Sequence, residues 1–192
     1  MRLFIGLPLP HEVETELGRI ITHLKAQGGR VTWVAPENIH MTVRFLGETD
    51  DARVPKLKAL ISEVAQHLRP AHLVIDRLGG FPNLHKPRVI WAGVTPGSDV
   101  DRLAKMARHV ELEVRQMRFG PDQKGFKPHM TLGRVKDPSG LQQLTATLSS
   151  MRIEPVRVLI DRIVLFKSTL TPQGSIYERL HEGMLGEERL EG

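Results

Sequence analysis

Apolar residues recur along this chain with two different periods, and the switches between them divide it into elements. Residues 2–9 alternate as a strand, and then Val13, Leu17, Ile20, Ile21 and Leu24 fall on one helical face that Gly28-Gly29 ends. Residues 31–34 predict a short strand and 39–46 a longer one. A second amphipathic stripe of Val54, Leu57, Leu60, Ile61, Val64 and Leu68 stops before Pro70, because a residue preceding proline is driven out of the helical region. Residues 73–78 and 88–94 read as strands joined through the turn-rich Gly79-Gly80-Phe81-Pro82-Asn83. Val100, Leu103, Ala107, Val110, Val114 and Met117 predict a third helix with Ser98 or Asp99 as its N-cap. A loop over 120–125 leads to a strand expected at 128–135 and a weak helix at 139–149. Two closing strands are expected near 152–167 and 175–181, around Thr171-Pro172-Gln173-Gly174. The polar stretch 183–192 reads as a frayed tail.

Helices and strands interleave, yet several strand pairs are joined by short turns that only antiparallel neighbours can use. An α+β fold with antiparallel sheets in a single domain over 1–192 is the expectation. With 40% apolar and 26% charged residues the chain can bury a core, which argues against disorder. It has no cysteine, so disulfides, thiolate nucleophiles and cysteine-ligated metals are excluded. The opening run is broken by Pro8 and too short for a signal peptide, and Asp161 and Arg162 interrupt the longest apolar stretch before it could span a bilayer. A soluble cytoplasmic protein with no membrane partner is expected. The 27 Lys and Arg against 22 Asp and Glu leave +5, which suits a polyanionic partner without requiring one.

One motif occurs twice. His40-Met41-Thr42-Val43 returns as His129-Met130-Thr131-Leu132, each time in an expected strand. Residues i and i+2 of a strand share a face, so each histidine points with its threonine. Imidazoles titrate near neutrality, and a facing pair can accept a proton on one side of a reacting centre while donating one on the other. Threonine hydroxyls beside them can hold phosphate oxygens, so the constellation suits metal-free in-line displacement at a phosphodiester. Strict alternation adds Arg44 to the face of His40 and Thr42, either as a second cation in the cleft or as a solvent-facing or ion-paired strand residue. It turns Arg134 away from His129 and Thr131 unless the strand bulges near Gly133. Lys86, Arg88, Lys124 and Lys127 extend the basic surface, while Met41, Met130, Trp33 and Trp91 read as packing. The other seven histidines lack ligand spacing, and Gly79-Gly80 and Gly120-Pro121 match no phosphate-binding loop, so neither metal nor cofactor is expected. A non-catalytic RNA-binding protein would account for the charge, but it would favour arginines and exposed aromatics over paired imidazoles, and only one tyrosine is present.

At these residues the chain resembles the two-histidine phosphoesterase superfamily, and within it the bacterial and archaeal RNA 2′,3′-cyclic phosphodiesterases, first described as ATP-independent 2′–5′ RNA ligases. The resemblance runs through Leu7-Pro8, Trp33-Val34, the segment from Pro36 to Glu48, the segment from Lys127 to Arg134, and Ser168-Thr169-Leu170 with Gly174-Ser175-Ile176-Tyr177. It implies two pseudo-symmetric lobes, each an antiparallel sheet backed by helices, with one motif on either side of a basic central cleft. It further implies His40 as the proton donor to the leaving ribose 3′-oxygen and His129 as the base that activates water. Thr42, Thr131 and Arg134 would hold the phosphate, and Phe45 would line the nucleotide pocket. The implied substrate is RNA ending in a 2′,3′-cyclic phosphate, or a cyclic nucleotide, acted on by a monomer. Ligation of tRNA halves is the same chemistry run backwards.

Overall fold

The computed structural model describes residues 1–186. The strands are β1 (Arg2–Pro8), β2 (Arg30–Trp33), β3 (His40–Glu48), β4 (Ala71–Phe81), β5 (Val89–Val94), β6 (His129–Asp137), β7 (Val156–Ile160), β8 (Arg162–Thr171) and β9 (Gly174–Met184). The helices are α1 (His11–Lys25), α2 (Val54–His67), α3 (Ser98–Gln116) and α4 (Gln142–Ser150). All strand pairings are antiparallel, and the order β7-β4-β5-β6-β3-β1-β8-β9 makes one curled nine-stranded sheet with β2 on β6. The expected lobes are the two halves of this sheet. One is β3-β1-β8-β9 and the other is β7-β4-β5-β6 with β2.

A single pair, Met41 opposite Met130, joins the halves. Beyond it β6 parts from β3 and takes β2 instead, from Gly133 to Asp137, so the two motif strands splay on either side of their methionines. Both methionines face the core, at 0% and 1% exposure, and their neighbours in each motif therefore face the opposite, concave side. The helices cover the convex side. α1 buries Val13, Leu17, Ile21 and Leu24 against β2, β7 and α4, while α2 lies on β8 and β9, and α3 on β3, β4 and α2. Each such Leu or Ile side chain removed from water contributes roughly 1.5–3 kcal/mol, so the helical stripes hold the sheet in its curl.

The expected strand at 152–167 is two strands belonging to different halves. β7 pairs with β4, and after Asp161 the chain crosses to pair β8 with β1. The tail expectation also fails over 183–186. A β-carbon at Gly183 would sit 2.6 Å from Ala65 Cβ, so glycine lets β9 lie directly on α2. Leu185 is then buried, and the Gly186 N–H donates to Leu68 O at 2.9 Å, satisfying a carbonyl at the end of α2. Residues 187–192 of that expectation lie outside the described residues. The N-cap of α3 is Gly97 and not Ser98 or Asp99. Asp99 already lies in the first turn, where its carboxylate accepts from His72 N and Arg102.

Candidate active site

Both motif strands carry a bulge at the same offset. Along β1 and β3, Gly6 faces Thr42 and Ile5 faces Arg44, leaving Val43 extra; along β5 and β6, Trp91 faces Thr131 and Ile90 faces Gly133, leaving Leu132 extra. A bulge turns every later side chain to the opposite face from simple alternation. The residue five places after each histidine therefore returns to the histidine's side. In the first strand that is Phe45, opposite Phe4 and 50% exposed; in the second it is Arg134, opposite Val89 and exposed. The bulge that Arg134 needs is present. The same device removes Arg44 from the cleft, against the expectation from alternation. Arg44 is 6% exposed on the core side, bound to Glu111 and to the carbonyls of Phe45 and Gly120.

Each histidine is anchored in the same way, by its Nδ1 to the carbonyl two residues before it. His40 Nδ1 donates to Asn38 O and His129 Nδ1 to Lys127 O, both at 2.7 Å. With a proton fixed on Nδ1, the Nε2 of each ring is the atom left for chemistry. His40 Nε2 accepts a hydrogen bond from the Thr42 hydroxyl at 3.0 Å. Counting outward from the Met41–Met130 pair brings His40 toward Thr131 and Thr42 toward His129, the arrangement of a local two-fold axis.

Aromatic rings back both imidazoles. His40 stacks on Phe4 at 4.7 Å and meets the edge of Tyr177 at 5.3 Å, with Phe166 stacked beneath Phe4 at 4.9 Å. His129 meets Phe81 edge-on at 5.0 Å and stands beside Trp91, whose ring lies across Gly79. A β-carbon at Gly79 would fall 2.1 Å from that ring, so only glycine lets the indole lie flat beneath the site. Trp91 packs there as expected. Phe4, Phe81, Tyr177 and Asn38 were not apparent as site residues in the sequence, although Asn38 and Lys127 stand at one shared offset from the motif histidines.

The enclosure depresses both histidines. Burial pushes His40 down to about 4; the Asn38 carbonyl opposes this, while the positive charges of Arg134 and His129 add to it. Burial also lowers His129, helped by the Lys127 and Arg134 charges and opposed by the Lys127 carbonyl. Arg134 thus acts electrostatically on both imidazoles, as a cation between the lobes would. The ammonium of Lys127 stands 5.1 Å over the Phe81 ring, at the rim of the same face. Among the described residues no three His, Asp or Glu side chains converge as metal ligands, and no helix is long and apolar enough to cross a membrane.

The arrangement is thus a concave, cationic face with two opposed, Nδ1-anchored imidazoles and two hydroxyls, able to hold an anion and exchange protons on either side of it. The sequence profile of the LigT like phosphoesterases matches residues 7–91 and 94–177, one His-x-Thr motif in each segment. The RNA 2′,3′-cyclic phosphodiesterase of Thermotoga maritima is 35% identical over 95% of this chain and 94% of its own length. That of Archaeoglobus fulgidus is 33% identical over 94% and 98%. The crystal structure of TT0787 from Thermus thermophilus superposes with a TM-score of 0.79 at 28% identity, covering 98% of this chain and 100% of that one. With both halves of its sheet and both motifs inside the match, the chain belongs to the LigT like phosphoesterase family.

Proposed function

We propose that this protein opens 2′,3′-cyclic phosphodiester ends of RNA to 2′-phosphomonoesters, using its own side chains and no metal. The reading rests on one observation above all: two imidazoles with identical Nδ1 anchors face each other across a local two-fold, with Arg134 acting on both. The phosphate sits against Arg134 and the hydroxyls of Thr42 and Thr131. His129 Nε2 takes a proton from water as the water oxygen bonds to phosphorus. The bond from phosphorus to the ribose 3′-oxygen breaks, and the proton on His40 Nε2 passes to that oxygen. Phe45, exposed on the same face, offers its ring to the terminal base.

In the free protein both histidines are neutral at pH 7, so the acid is loaded only in the complex. A phosphodiester brings a negative charge beside His40 and raises its affinity for a proton. As Thr42 turns its hydroxyl from His40 to the phosphate, the Nε2 lone pair becomes free to receive it. The test is incubation with a short oligonucleotide ending in a 2′,3′-cyclic phosphate, in EDTA, with the product phosphate mapped to its oxygen. A 2′-phosphate product is expected. A 3′-phosphate, or a strict need for added divalent ion, overturns the reading.

A further inference from the structure

Arg44 is the one charged side chain buried among the described residues, and the acid–base chemistry makes no use of it. Its guanidinium reaches three segments at once: Nε donates to Glu111 on α3, one terminal nitrogen to Phe45 O in its own strand, and the other to Gly120 O. The second oxygen of Glu111 accepts the Asp122 N–H at 3.1 Å. Burial by itself would raise Glu111, but the Asp122 N–H and Arg44 outweigh it and hold the carboxyl below its ordinary range, so the pair is ionised. Together the two side chains grip the backbone of the loop that leads from α3 to His129.

The need for that grip follows from a difference between the two histidine anchors. The carbonyl that orients His40 belongs to Asn38, whose side chain is itself fastened to Ser175 O at 2.9 Å. The carbonyl that orients His129 belongs to Lys127, on a loop with no strand ladder of its own. Phe119 and Phe126 pack that loop against the core. Besides His129 itself, Arg44 and Glu111 are the described residues from outside the loop whose side chains hydrogen-bond its backbone. With Arg44 buried and Glu111 still a quarter exposed, replacing the pair by apolar side chains of equal volume would cost the fold little, so its weight falls on the geometry of the loop it holds.

We propose that the Arg44–Glu111 pair is a positioning device for His129, holding the loop so that Lys127 O meets His129 Nδ1 and tying that loop to the Phe45 segment of the opposite lobe. The inference rests on His129 being the base of the proposed reaction. Arg44→Met with Glu111→Leu removes both charges together and leaves none unpaired. In the full chain at pH 7, the His129 Nδ1–H resonance is expected to lose its protection from solvent exchange while that of His40 keeps it. Turnover of the cyclic-phosphate oligonucleotide should fall roughly 10–100-fold in kcat, as misplacement of a reacting group does, with a cooperative melt retained. If the double variant does not fold, Glu111→Gln, which keeps the shape of the carboxylate, takes the same resonance measurement. A folded variant with both His129 protection and wild-type kcat overturns the proposal. Failure of the wild-type protein to turn over the oligonucleotide defeats the phosphodiesterase reading instead, and the resonance still judges the clamp.

Discussion

Acid should unfold this protein partly through one side chain. An unfolded histidine titrates near 6.5, whereas the folded His40 titrates near 4 because it stands on Phe4 and against Tyr177. The folded value is lowered, so below pH 6.5 the unfolded chain binds a proton that the native site refuses. The contribution is intact above pH 6.5 and is lost as pH falls toward 4. Integrated over that window the difference amounts to about 2.5 kcal/mol at pH 4.5, where the folded imidazole has itself begun to protonate. Asp76, Asp99, Glu111 and Asp161 are all lowered by their partners and also lose stability in acid. Those losses are shared by a His40→Gln variant and cancel in the comparison. Urea unfolding at pH 7.5 and 4.5 measures the quantity: wild type should lose about 2.5 kcal/mol more than the variant between the two. Equal losses would mean that His40 is solvated and unperturbed, and the account of its aromatic enclosure would be wrong.

The same shifts predict that kcat/KM, which reports the free enzyme, falls tenfold per unit as pH rises above 6.5, because protonated His40 becomes scarce; a plateau to pH 8 refutes this. Arg134→Ala should cut turnover on the order of 10²–10³-fold and Arg134→Lys should restore only part, since lysine lacks the planar fork; a silent Arg134→Ala would remove it from the phosphate site. Gly79→Ala should push the Trp91 ring off the sheet, cost about 1–3 kcal/mol in thermal unfolding and shift the indole fluorescence; an unchanged spectrum refutes the flat packing. Phe45→Ala should raise KM for an oligonucleotide by roughly 5–150-fold with kcat held, as loss of one base stack implies; an unchanged KM removes its ring from the base pocket.

Periodicity located the elements because most of them bury one clean face: the stripes of α1, α2 and α3 appear in the chain almost as they pack. It failed where one continuous apolar run serves two neighbours. Residues 152–167 read as a single strand because the alternating β7 runs straight into the continuously buried Ile163 to Phe166 of β8, and only Asp161 and Arg162 mark the crossing. The motif histidines were legible from their repetition. Arg44 was not, because its direction depends on an extra residue at Val43, and a bulge in β-branched sequence carries no turn signal. At Leu132 the following Gly133 gave the hint that the first strand lacks. Phe4 and Tyr177 became visible only through register, since they reach His40 from strands that lie far from it in the chain.

The order of the strands also decides which histidine depends on the chain being complete. Strands β4 to β7 are consecutive in the chain, and with β2 they supply the whole half-sheet around His129 within the first 160 residues. The half-sheet around His40 begins with β1 and ends with β8 and β9, so it is built from the first and the last strands in chain order. As the chain emerges from its N-terminus, the His129 face can assemble while Phe4 and His40 still wait for Phe166 and Tyr177. A chain cut short near residue 160 keeps the surroundings of His129 and loses the enclosure of His40, leaving the aromatic floor of the first half open to solvent. Completion of the last hairpin is therefore what turns two separate motifs into a pair.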